Sequence, residues 1–356
     1  MAQEIIYTNL VIEAIDDLVA SLGTPSVYVI VDVNTAKFVL PILQSQSEAV
    51  KNAEIITVLA GDVNKGPDAL QKVWKELSDK GATRKSVVIN VGGGMITDLG
   101  GFAAATFKRG VRFINLPTTL LGAVDAAVGG KTGINFNGLK NEIGAFQDAV
   151  AVIISTLFFN TLPMQQMLSG YAEMLKHGLL DDKATLAELM RYNIENPPAT
   201  PDLLLHLIEK SVGIKQAVVA SDPHENGARK TLNLGHTVGH AFESFAMDVE
   251  HSPIPHGYAV AWGMVVELIL SHMKLGFPSD TLHQFAQYIK EHYGYFQITC
   301  EQYPQLLQLM AHDKKNDTPE HIVFTLLKDV GQPVIDQTAT ADEIKSALDI
   351  YRDLIQ

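Results

Sequence analysis

Short apolar runs alternate with amphipathic segments through the first half of the chain. Segments between the runs, such as Asp68–Lys80, place apolar residues at helical spacing. The runs are six or seven residues long and rich in Val and Ile, and they are Ser26–Asp32, Glu54–Ala60, Ser86–Val91, Val111–Leu116 and Ala149–Ile154. A repeated strand–helix–strand order predicts a mainly parallel sheet covered by helices, which is a Rossmann-like α/β fold.

The pattern changes after about Ser155, where long amphipathic segments replace the strand runs. One β-like run, His321–Lys328, interrupts these segments and predicts a small hairpin strand. The segments predict a mostly α-helical second half and are Leu162–Leu180, Leu203–Ala220, Thr231–Phe245, Gly257–Leu275 and Ala341–Ile355. For a chain of 356 residues we expect two domains, 1–160 and 161–356, with the active site in the cleft between them.

Charge, cysteine content and hydropathy limit the partners and the compartment. The 27 Lys and Arg residues against 40 Asp and Glu residues give a net charge of −13, which repels nucleic acids. Cys300 is the only cysteine, so no intrachain disulfide can form and we expect a reducing cytoplasm. The first residues lack a signal-peptide pattern, and no window reaches the ~18 uninterrupted apolar residues of a membrane helix. We therefore expect a soluble protein that binds neither nucleic acid nor membrane.

Three glycines, Gly92, Gly93 and Gly94, follow a strand run and precede the helical pattern Met95–Phe107. Glycines at such a junction let the backbone approach a ligand, and the N–H groups of the following helix favour a pyrophosphate. The run is neither the G-x-G-x-x-G fingerprint nor a P-loop, so taken alone it is more often simple turn chemistry. Polar residues that can serve a nucleotide follow the first two strand runs at their carboxyl ends: Asp32, Asn34, Asp62 and Lys65.

Two histidines, His236 and His240, lie four residues apart and therefore on one face of a predicted helix. His256 opens the next helical segment, and Glu173 lies upstream in another. Three imidazoles and a carboxylate suffice to hold a zinc-like ion with one position open for substrate. Spacing alone nominates His236 and His240 as the paired ligands. The alternative for each histidine is an ordinary half-buried side chain.

Several basic residues stand beside small or turn-forming ones. For any single lysine a solvated surface charge is the ordinary interpretation, but Lys131 follows two glycines, where a ligand can approach the backbone. The set fits a small phosphorylated or carboxylated substrate and comprises Lys131, Lys140, Lys215, Arg229, Lys314 and Lys315. Together with a nucleotide site and a metal site, these cations suggest redox chemistry on a sugar phosphate.

The motifs come in one order over nearly the whole chain. They are Gly92-Gly93-Gly94 with Asp98, Lys108-Arg109-Gly110, Leu116-Pro117-Thr118-Thr119, Asp125 with Gly129-Gly130-Lys131-Thr132, Lys140-Asn141, Glu173 with Lys176, Asn233 with His236 and His240, His256-Gly257, and Asp313-Lys314-Lys315. In this order they resemble the 3-dehydroquinate synthase family of sugar phosphate cyclases. Any one block is weakly specific, whereas the whole series is highly specific.

The resemblance implies a homodimeric lyase that depends on NAD and on zinc or cobalt. Such an enzyme converts 3-deoxy-D-arabino-heptulosonate 7-phosphate into 3-dehydroquinate and phosphate, which is the second step of the shikimate pathway to the aromatic amino acids. The implied reaction begins with transient oxidation by NAD and elimination of phosphate. Re-reduction, ring opening and an intramolecular aldol closure follow.

The resemblance also implies a role for individual residues. The implied metal ligands are Glu173, His236 and His256, so that His240 serves the substrate phosphate instead. The implied NAD contacts are Asp32, Asn34, Asp62, Lys65, Gly93, Gly94, Asp98, Thr118, Thr119 and Lys140. The implied substrate contacts are Asp125, Lys131, Asn141, Lys176, Lys215, Arg229, Asn233, His240 and Lys314 or its neighbour Lys315, with Arg109 reaching the phosphate site of a partner subunit. Asp62 departs from the family, which usually has Glu there, and we expect the shorter carboxylate to weaken the ribose contact.

Two alternatives stay open. Other sugar phosphate cyclases, such as 2-deoxy-scyllo-inosose synthase, and the glycerol-dehydrogenase-like enzymes act on substrates without the heptulosonate carboxylate. Arg229 with Lys215 and the block Asp313-Lys314-Lys315 favour the dehydroquinate synthase over these enzymes. The non-enzyme alternative is a catalytically silent relative that binds NAD and metal, and the presence of every expected ligand argues against it.

Overall fold

The computed structural model describes residues 3–137, 139–197, 201–223, 225–248, 252–311 and 322–355. The chain forms two compact units. The first comprises Met1–Pro163 with Ala199–Val212, and the second comprises Met164–Pro198 with Gly213–Gln356. The segment 199–212 belongs to the first unit, although a division of the sequence at residue 160 assigns it to the second.

Strands occur mainly in the first unit. They are β1 (Glu4–Tyr7), β2 (Val27–Asp32), β3 (Glu54–Val58), β4 (Val87–Gly92), β5 (Arg112–Pro117), β6 (Lys131–Phe136), β7 (Leu139–Phe146), β8 (Ala151–Ile154), β9 (Ile322–Leu327) and β10 (Pro333–Ala339). Six of them form one parallel sheet in the order β1-β8-β5-β4-β2-β3. The predicted parallel sheet is confirmed, and its buried Val-rich and Ile-rich strands are typical of sheets covered on both faces.

Helices cover the sheet and build most of the second unit. They are α1 (Val11–Ser21), α2 (Val33–Phe38), α3 (Leu40–Gln46), α4 (Glu48–Lys51), α5 (Pro67–Asp79), α6 (Gly94–Thr106), α7 (Met164–Asp181), α8 (Lys183–Arg191), α9 (Pro201–Ser221), α10 (His236–Asp248), α11 (His256–Leu275), α12 (Ser279–Tyr293), α13 (Tyr303–Ala311) and α14 (Ala341–Ile355). The prediction of a mostly helical second half is confirmed.

One predicted helix, Thr231–Phe245, was wrong in its first part. A 3₁₀ turn occupies Ala228–Asn233, and α10 begins only at His236. Gly235 between them has a φ of +80°, a left-handed conformation that glycine adopts without steric cost. Its backbone N–H donates to the carboxylate of Glu267 at 2.6 Å, so a residue on another helix determines where α10 starts.

The parallel sheet brings distant segments to one edge of the first unit. In the register of the sheet, Val31 pairs with Val91 and Gly92 pairs with Pro117, so β2, β4 and β5 end side by side. The backbone N–H of Thr118 extends this alignment by donating to the Gly92 carbonyl at 2.9 Å. The polar residues that follow these strands therefore share the carboxyl edge, where open α/β sheets bind ligands.

Helix α11 is the central helix of the second unit. It packs against α7, α10, α12, α14 and β9. By length and composition alone this helix could cross a membrane. However, 72 % of its most apolar stretch is buried inside the fold, which is typical of a core helix in a globular unit. Strands β9 and β10 pair antiparallel beside it, which confirms the predicted hairpin strand for its described residues.

Candidate active site

The glycine run at the end of β4 is closely packed. Gly93 precedes the first residue of α6, and a Cβ on it would lie 2.9 Å from Cγ2 of Thr119. A Cβ on Gly94 would lie 2.9 Å from Cβ of Ala126. Side chains at these positions are therefore excluded, and the backbone at the start of α6 stays accessible to a close ligand. Thr118 and Thr119 lie beside it at the end of β5.

Asp32 ends β2 and caps the next helix. Its Oδ1 accepts hydrogen bonds from the backbone N–H groups of Asn34 at 2.7 Å and Thr35 at 2.9 Å. The Thr35 hydroxyl lies 3.0 Å from the backbone N–H of Asp32, which completes a capping box. This predicted cofactor residue thus also orders the start of α2.

Lys65 is the centre of a polar cluster in the first unit. It is 4 % exposed, and its Nζ lies 3.1 Å from Asp98 Oδ2, 3.2 Å from Asp62 Oδ1 and 2.6 Å from Asn141 Oδ1. Burial opposes its charge, but Asp98 and Asp62 outweigh burial and raise the Lys65 pKa. Three oxygens around one ammonium group satisfy all of its donors.

The two carboxyl groups of this cluster differ. Burial raises the pKa of Asp98 to about 6, in spite of Lys65. Burial also acts on Asp62, but Lys65 and Lys140 overcome it and lower the Asp62 pKa. The cluster joins residues that were predicted for different ligands. Asp62, Lys65 and Asp98 were predicted to contact NAD, and Asn141 was predicted to contact the substrate.

The remaining predicted residues of the first unit lie at its surface or near it. Arg109 follows α6 and adopts a φ of +67°. Lys131 begins β6, and Lys140 lies in β7. The side chains of Arg109, Lys131 and Lys140 are exposed. Asp125 is half-buried in a π-helical turn, Gly122–Ala126.

Three helices of the second unit each contribute one side chain to a cluster of potential metal ligands. Glu173 lies on α7, His236 begins α10 and His256 begins α11. Oε1 of Glu173 lies 3.5 Å from Nε2 of His236 and 3.4 Å from Nε2 of His256. One ligand atom from each residue lies within 4.8 Å of the others.

These separations fit a divalent ion. Zinc bonds of about 2.1 Å to nitrogen and oxygen at tetrahedral angles put two ligand atoms roughly 3.4 Å apart. The Glu173 carboxylate is 0 % exposed, and the two imidazole nitrogens lie beyond ordinary hydrogen-bonding distance from it. A buried carboxylate and two imidazoles are also the donors that zinc and cobalt prefer.

The ring orientation of both histidines is determined at Nδ1. Nδ1 of His236 lies 3.1 Å from the carbonyl oxygen of Leu234, and Nδ1 of His256 lies 3.1 Å from Oε2 of Glu243. Both Nε2 atoms therefore face Glu173. Such partners fix the tautomer of a ligating histidine.

Electrostatics keep the carboxylate of this cluster charged. Burial disfavours ionised Glu173, but Lys176 and the two histidines outweigh burial and lower the Glu173 pKa well below its usual range. Burial and the Lys176 charge lower the pKa of His236, so its imidazole is neutral. Burial is outweighed at His256, where Glu243 and Glu173 raise the pKa to about 10, so metal binding there must displace a proton.

A small-residue contact brings α11 to α7. The backbone N–H of Gly257 donates to the Ser169 hydroxyl at 3.0 Å. A Cβ on Gly257 would overlap the Ser169 carbonyl oxygen. Because Gly257 follows His256 directly, this contact places the histidine beside Glu173.

Further predicted residues of the second unit are buried cations and their neighbours. Lys176 is 1 % exposed and pairs with Glu173. Arg229 is 3 % exposed, and its Nη1 donates to the Pro223 carbonyl at 2.8 Å. Lys215 is 6 % exposed, and the Asn233 side chain donates to Glu225 at 3.1 Å. The ring centre of His240 lies 5.4 Å from that of His236 and 5.9 Å from that of His256. Lys314 and Lys315 lie outside the described residues.

Three residues that contact the predicted sites were not predicted. Glu243 follows His236 by seven residues on α10, so helical periodicity could have placed it on the same face. Glu267 contacts the start of α10 from α11, and Asn135 contacts Asp62 from β6. No local signal marks either of these two, because their partners are far away in the sequence.

Comparisons with known proteins agree with this architecture. Residues 55–169 match the family model of the 3-dehydroquinate synthase N-terminal region, and residues 170–316 match that of the C-terminal region. The chain is 48 % identical over 339 residues to the 3-dehydroquinate synthase of Parabacteroides distasonis, which covers 95 % of each chain.

Two solved structures share the fold. The structure of 2-epi-5-epi-valiolone synthase from Streptomyces hygroscopicus subsp. jinggangensis, with NAD+ and Zn2+ bound, has a TM-score of 0.83 at 22 % identity and covers 99 % of this chain and 97 % of that one. A 2-deoxy-scyllo-inosose synthase with carbaglucose-6-phosphate, NAD+ and Co2+ has a TM-score of 0.81 at 21 % identity and covers 99 % and 96 %. With both family models and a full-length relative matched, the chain belongs to the 3-dehydroquinate synthase family.

Proposed function

We propose that the chain converts 3-deoxy-D-arabino-heptulosonate 7-phosphate into 3-dehydroquinate and phosphate, as a carbon–oxygen lyase that uses NAD and one divalent ion. The observation that carries this proposal is the cluster of Glu173, His236 and His256 beside the buried Lys176. A neutral imidazole, a charged carboxylate and an adjacent ammonium group suit an oxygen that gains negative charge during a reaction.

The first unit would hold NAD. Its glycine run offers backbone N–H groups at the start of α6 to the pyrophosphate, and the carboxylates of Asp32 and Asp62 can accept hydrogen bonds from ribose hydroxyls. NAD, when bound, supplies a hydride acceptor that is restored before the product leaves. The other residues proposed for this site are Asn34, Lys65, Gly93, Gly94, Asp98, Thr118, Thr119 and Lys140.

The second unit would hold zinc or cobalt through Glu173, His236 and His256. The ion supplies Lewis acidity to the reacting alcohol and ketone. Lys176 is held by its ion pair with Glu173, so its ammonium group can donate to a substrate hydroxyl without reorganising. Glu243 holds the His256 ring in place through Nδ1.

Cations would bind the two anionic groups of the substrate. Arg229 and Lys215 are buried cations of the second unit, and the planar guanidinium group of Arg229 suits two-point binding of the substrate carboxylate. The phosphate would be held by Lys131, Asn141, Asn233, His240 and Lys314. The task of this set is to orient the phosphate, and the family resemblance implies that the phosphate's own oxygens take the proton that is lost on elimination.

Assembly is a further part of the proposal. We propose that the first unit contributes Asp125 to the substrate site. We also propose a cytoplasmic homodimer in which Arg109 reaches the phosphate site of the second subunit. Support for a dimer comes from the β6–β7 hairpin, which exposes the apolar side chains Phe136, Leu139, Ile143 and Phe146 by 39 to 57 %.

The test is phosphate release by the purified chain with NAD and zinc or cobalt present, using three substrates in parallel. We expect release from 3-deoxy-D-arabino-heptulosonate 7-phosphate and none from glucose 6-phosphate or sedoheptulose 7-phosphate. Treatment with a chelator should abolish release, added ion should restore it, and His236→Ala should block this recovery. Release from one of the other sugars would establish a different cyclase. Binding of NAD and substrate without release would establish a silent relative.

A further inference from the structure

Asn135 connects two segments that the proposed function uses separately. Its side-chain Nδ2 donates to the backbone carbonyl of Asp62 at 2.9 Å and to the Asp62 carboxylate at 3.1 Å. Its Oδ1 accepts from the backbone N–H of Asn141 at 2.9 Å, and its own backbone N–H donates to the Lys65 carbonyl at 2.7 Å. The side chain thus contacts a proposed cofactor residue on one side and a proposed substrate residue on the other.

An irregularity in the β6–β7 hairpin makes this arrangement possible. Ile134 pairs with Ile143, whereas Phe136 pairs with Leu139, so three residues of β7 lie opposite Asn135 alone. A bulge of this kind removes a residue from the hydrogen-bonding ladder and redirects its groups. The Asn135 backbone N–H therefore contacts the loop after β3 instead of the opposite strand.

Both segments are irregular at the residues that Asn135 contacts. Asp62 lies in a single 3₁₀ turn, Asp62–Asn64, and Asn141 adopts a left-handed φ of +52°. Asparagine adopts this region more readily than most non-glycine residues, and local contacts determine that it is occupied here. The hydrogen bond from the Asn141 N–H to Asn135 is one such determinant, and the bond from Lys65 to Asn141 Oδ1 is another.

We propose that Asn135 is a positioning residue that aligns the Asp62 carboxylate and the Asn141 side chain with each other. Through Asp62 it acts on the affinity for NAD, and through Asn141 it acts on the affinity for the substrate phosphate. Lys65 completes the link, because its ammonium group contacts both side chains. This inference rests on the proposed function for its two ligands.

Two substitutions of Asn135 separate its effect on NAD affinity from its effect on substrate affinity. Asn135→Ala removes the donors to Asp62 and the acceptor for Asn141 together. We therefore expect the dissociation constant of NAD and the KM for 3-deoxy-D-arabino-heptulosonate 7-phosphate each to rise about tenfold. The change in kcat should be smaller. Asn135→Asp keeps an acceptor for the Asn141 N–H but places a second carboxylate beside Asp62. It should therefore weaken NAD at least as much while leaving the KM closer to that of the wild type.

A double-mutant cycle distinguishes positioning from general damage to the fold. NAD binding is measured by calorimetry for Asn135→Ala alone and in an Asp62→Ala background. If Asn135 acts through Asp62, its substitution should cost less than about twofold in that background. The control is Asn160→Ala, an exposed asparagine of the same unit whose amide also donates to a backbone carbonyl, and it should bind NAD like the wild type.

The proposal is overturned if Asn135→Ala leaves both constants unchanged, or if it weakens NAD equally with and without Asp62. Circular dichroism identifies a variant that fails to fold, and Asn135→Asp then provides the measurement. A wild type that binds NAD but releases no phosphate would contradict the proposed function alone. The effect of Asn135 on NAD affinity is still measured in that case.

Discussion

Oε2 of Glu243 lies 3.1 Å from Nδ1 of His256, and this contact turns the other ring nitrogen of the histidine toward Glu173. A carboxylate behind a ligating imidazole orients the ring and raises its basicity. The contact joins two helices, α10 and α11, that meet at glycine positions. Glu243 is therefore the residue we expect to affect metal affinity without touching the metal.

We expect Glu243→Gln to lower the affinity for zinc by about 10-fold to 100-fold. An amide carries no charge to stabilise the imidazole, although it keeps the size of the side chain. Zinc affinity is measured by competition with a chromophoric chelator. Glu291→Gln, an exposed change on α12, is the control. Equal zinc affinity in the two variants would remove Glu243 from the site.

Lys176→Met tests the buried ion pair of the second unit. Without the ammonium group, Glu173 is left as a buried carboxylate, so the unfolding free energy of the metal-free protein should fall by about 3 kcal/mol. Zinc should recover part of this loss, because a divalent ion puts more positive charge beside the carboxylate than protonated His256 does. Phosphate release should be abolished. Urea unfolding with and without zinc provides the stability values.

The matched control is Lys183→Met, which breaks a surface ion pair with Asp329 at 2.7 Å. Its lysine side chain is 63 % exposed, so water screens the pair and the loss should be much smaller. Similar losses in the two variants, or no response of Lys176→Met to zinc, would contradict the assignment.

The pKa of Asp98 predicts a dependence of stability on pH. Burial raises this pKa from 3.8 to about 6, so between these values the folded protein holds a proton that the unfolded chain has released. The folded state then binds more protons, and the unfolding free energy falls as the pH rises through this window, by at most about 3 kcal/mol. Asn cannot ionise, so Asp98→Asn should lack this contribution.

Urea unfolding at several pH values from about 4 to 7 measures this difference between the wild type and Asp98→Asn. The wild type should lose stability relative to the variant as the pH rises, and the difference should level off above the Asp98 pKa. Parallel curves for the two proteins would show that Asp98 has an ordinary pKa.

Gly257→Ala tests the approach of α11 to α7. The added methyl group would overlap the Ser169 carbonyl oxygen, so the helices must separate. We expect a loss of about 2 kcal/mol or more in unfolding free energy, together with weaker zinc binding, because His256 is the preceding residue. Thermal unfolding and zinc titration measure the two effects.

Gly213→Ala serves as the control for this substitution. Gly213 lies inside α9 with open space around its Cα, so alanine should be neutral or stabilising by up to about 1 kcal/mol. A Gly257→Ala protein as stable as the Gly213→Ala protein would show that α7 and α11 can adjust without cost.

Local patterns predicted the buried elements well. Strands β2, β4 and β5 and the long helices α7, α9, α11 and α14 agree closely with the predicted segments, because continuous burial leaves a strong apolar pattern. Strand β1 was missed because it is a half-buried edge strand of four residues. The β6–β7 hairpin was missed because nearly every residue of β7 is exposed, so no alternation is left to detect.

The order of short motifs also determined the family and nominated the residues of both sites, because residues that serve one reaction stand within short characteristic motifs. Which side chains meet was decided by tertiary packing. Gly257 against Ser169 sets the place of His256, Glu267 decides where α10 begins, and a strand irregularity turns Asn135 toward Asp62. Each of these contacts joins segments that are far apart in the chain. Their distances depend on how helices and strands pack, which no local pattern of residues encodes.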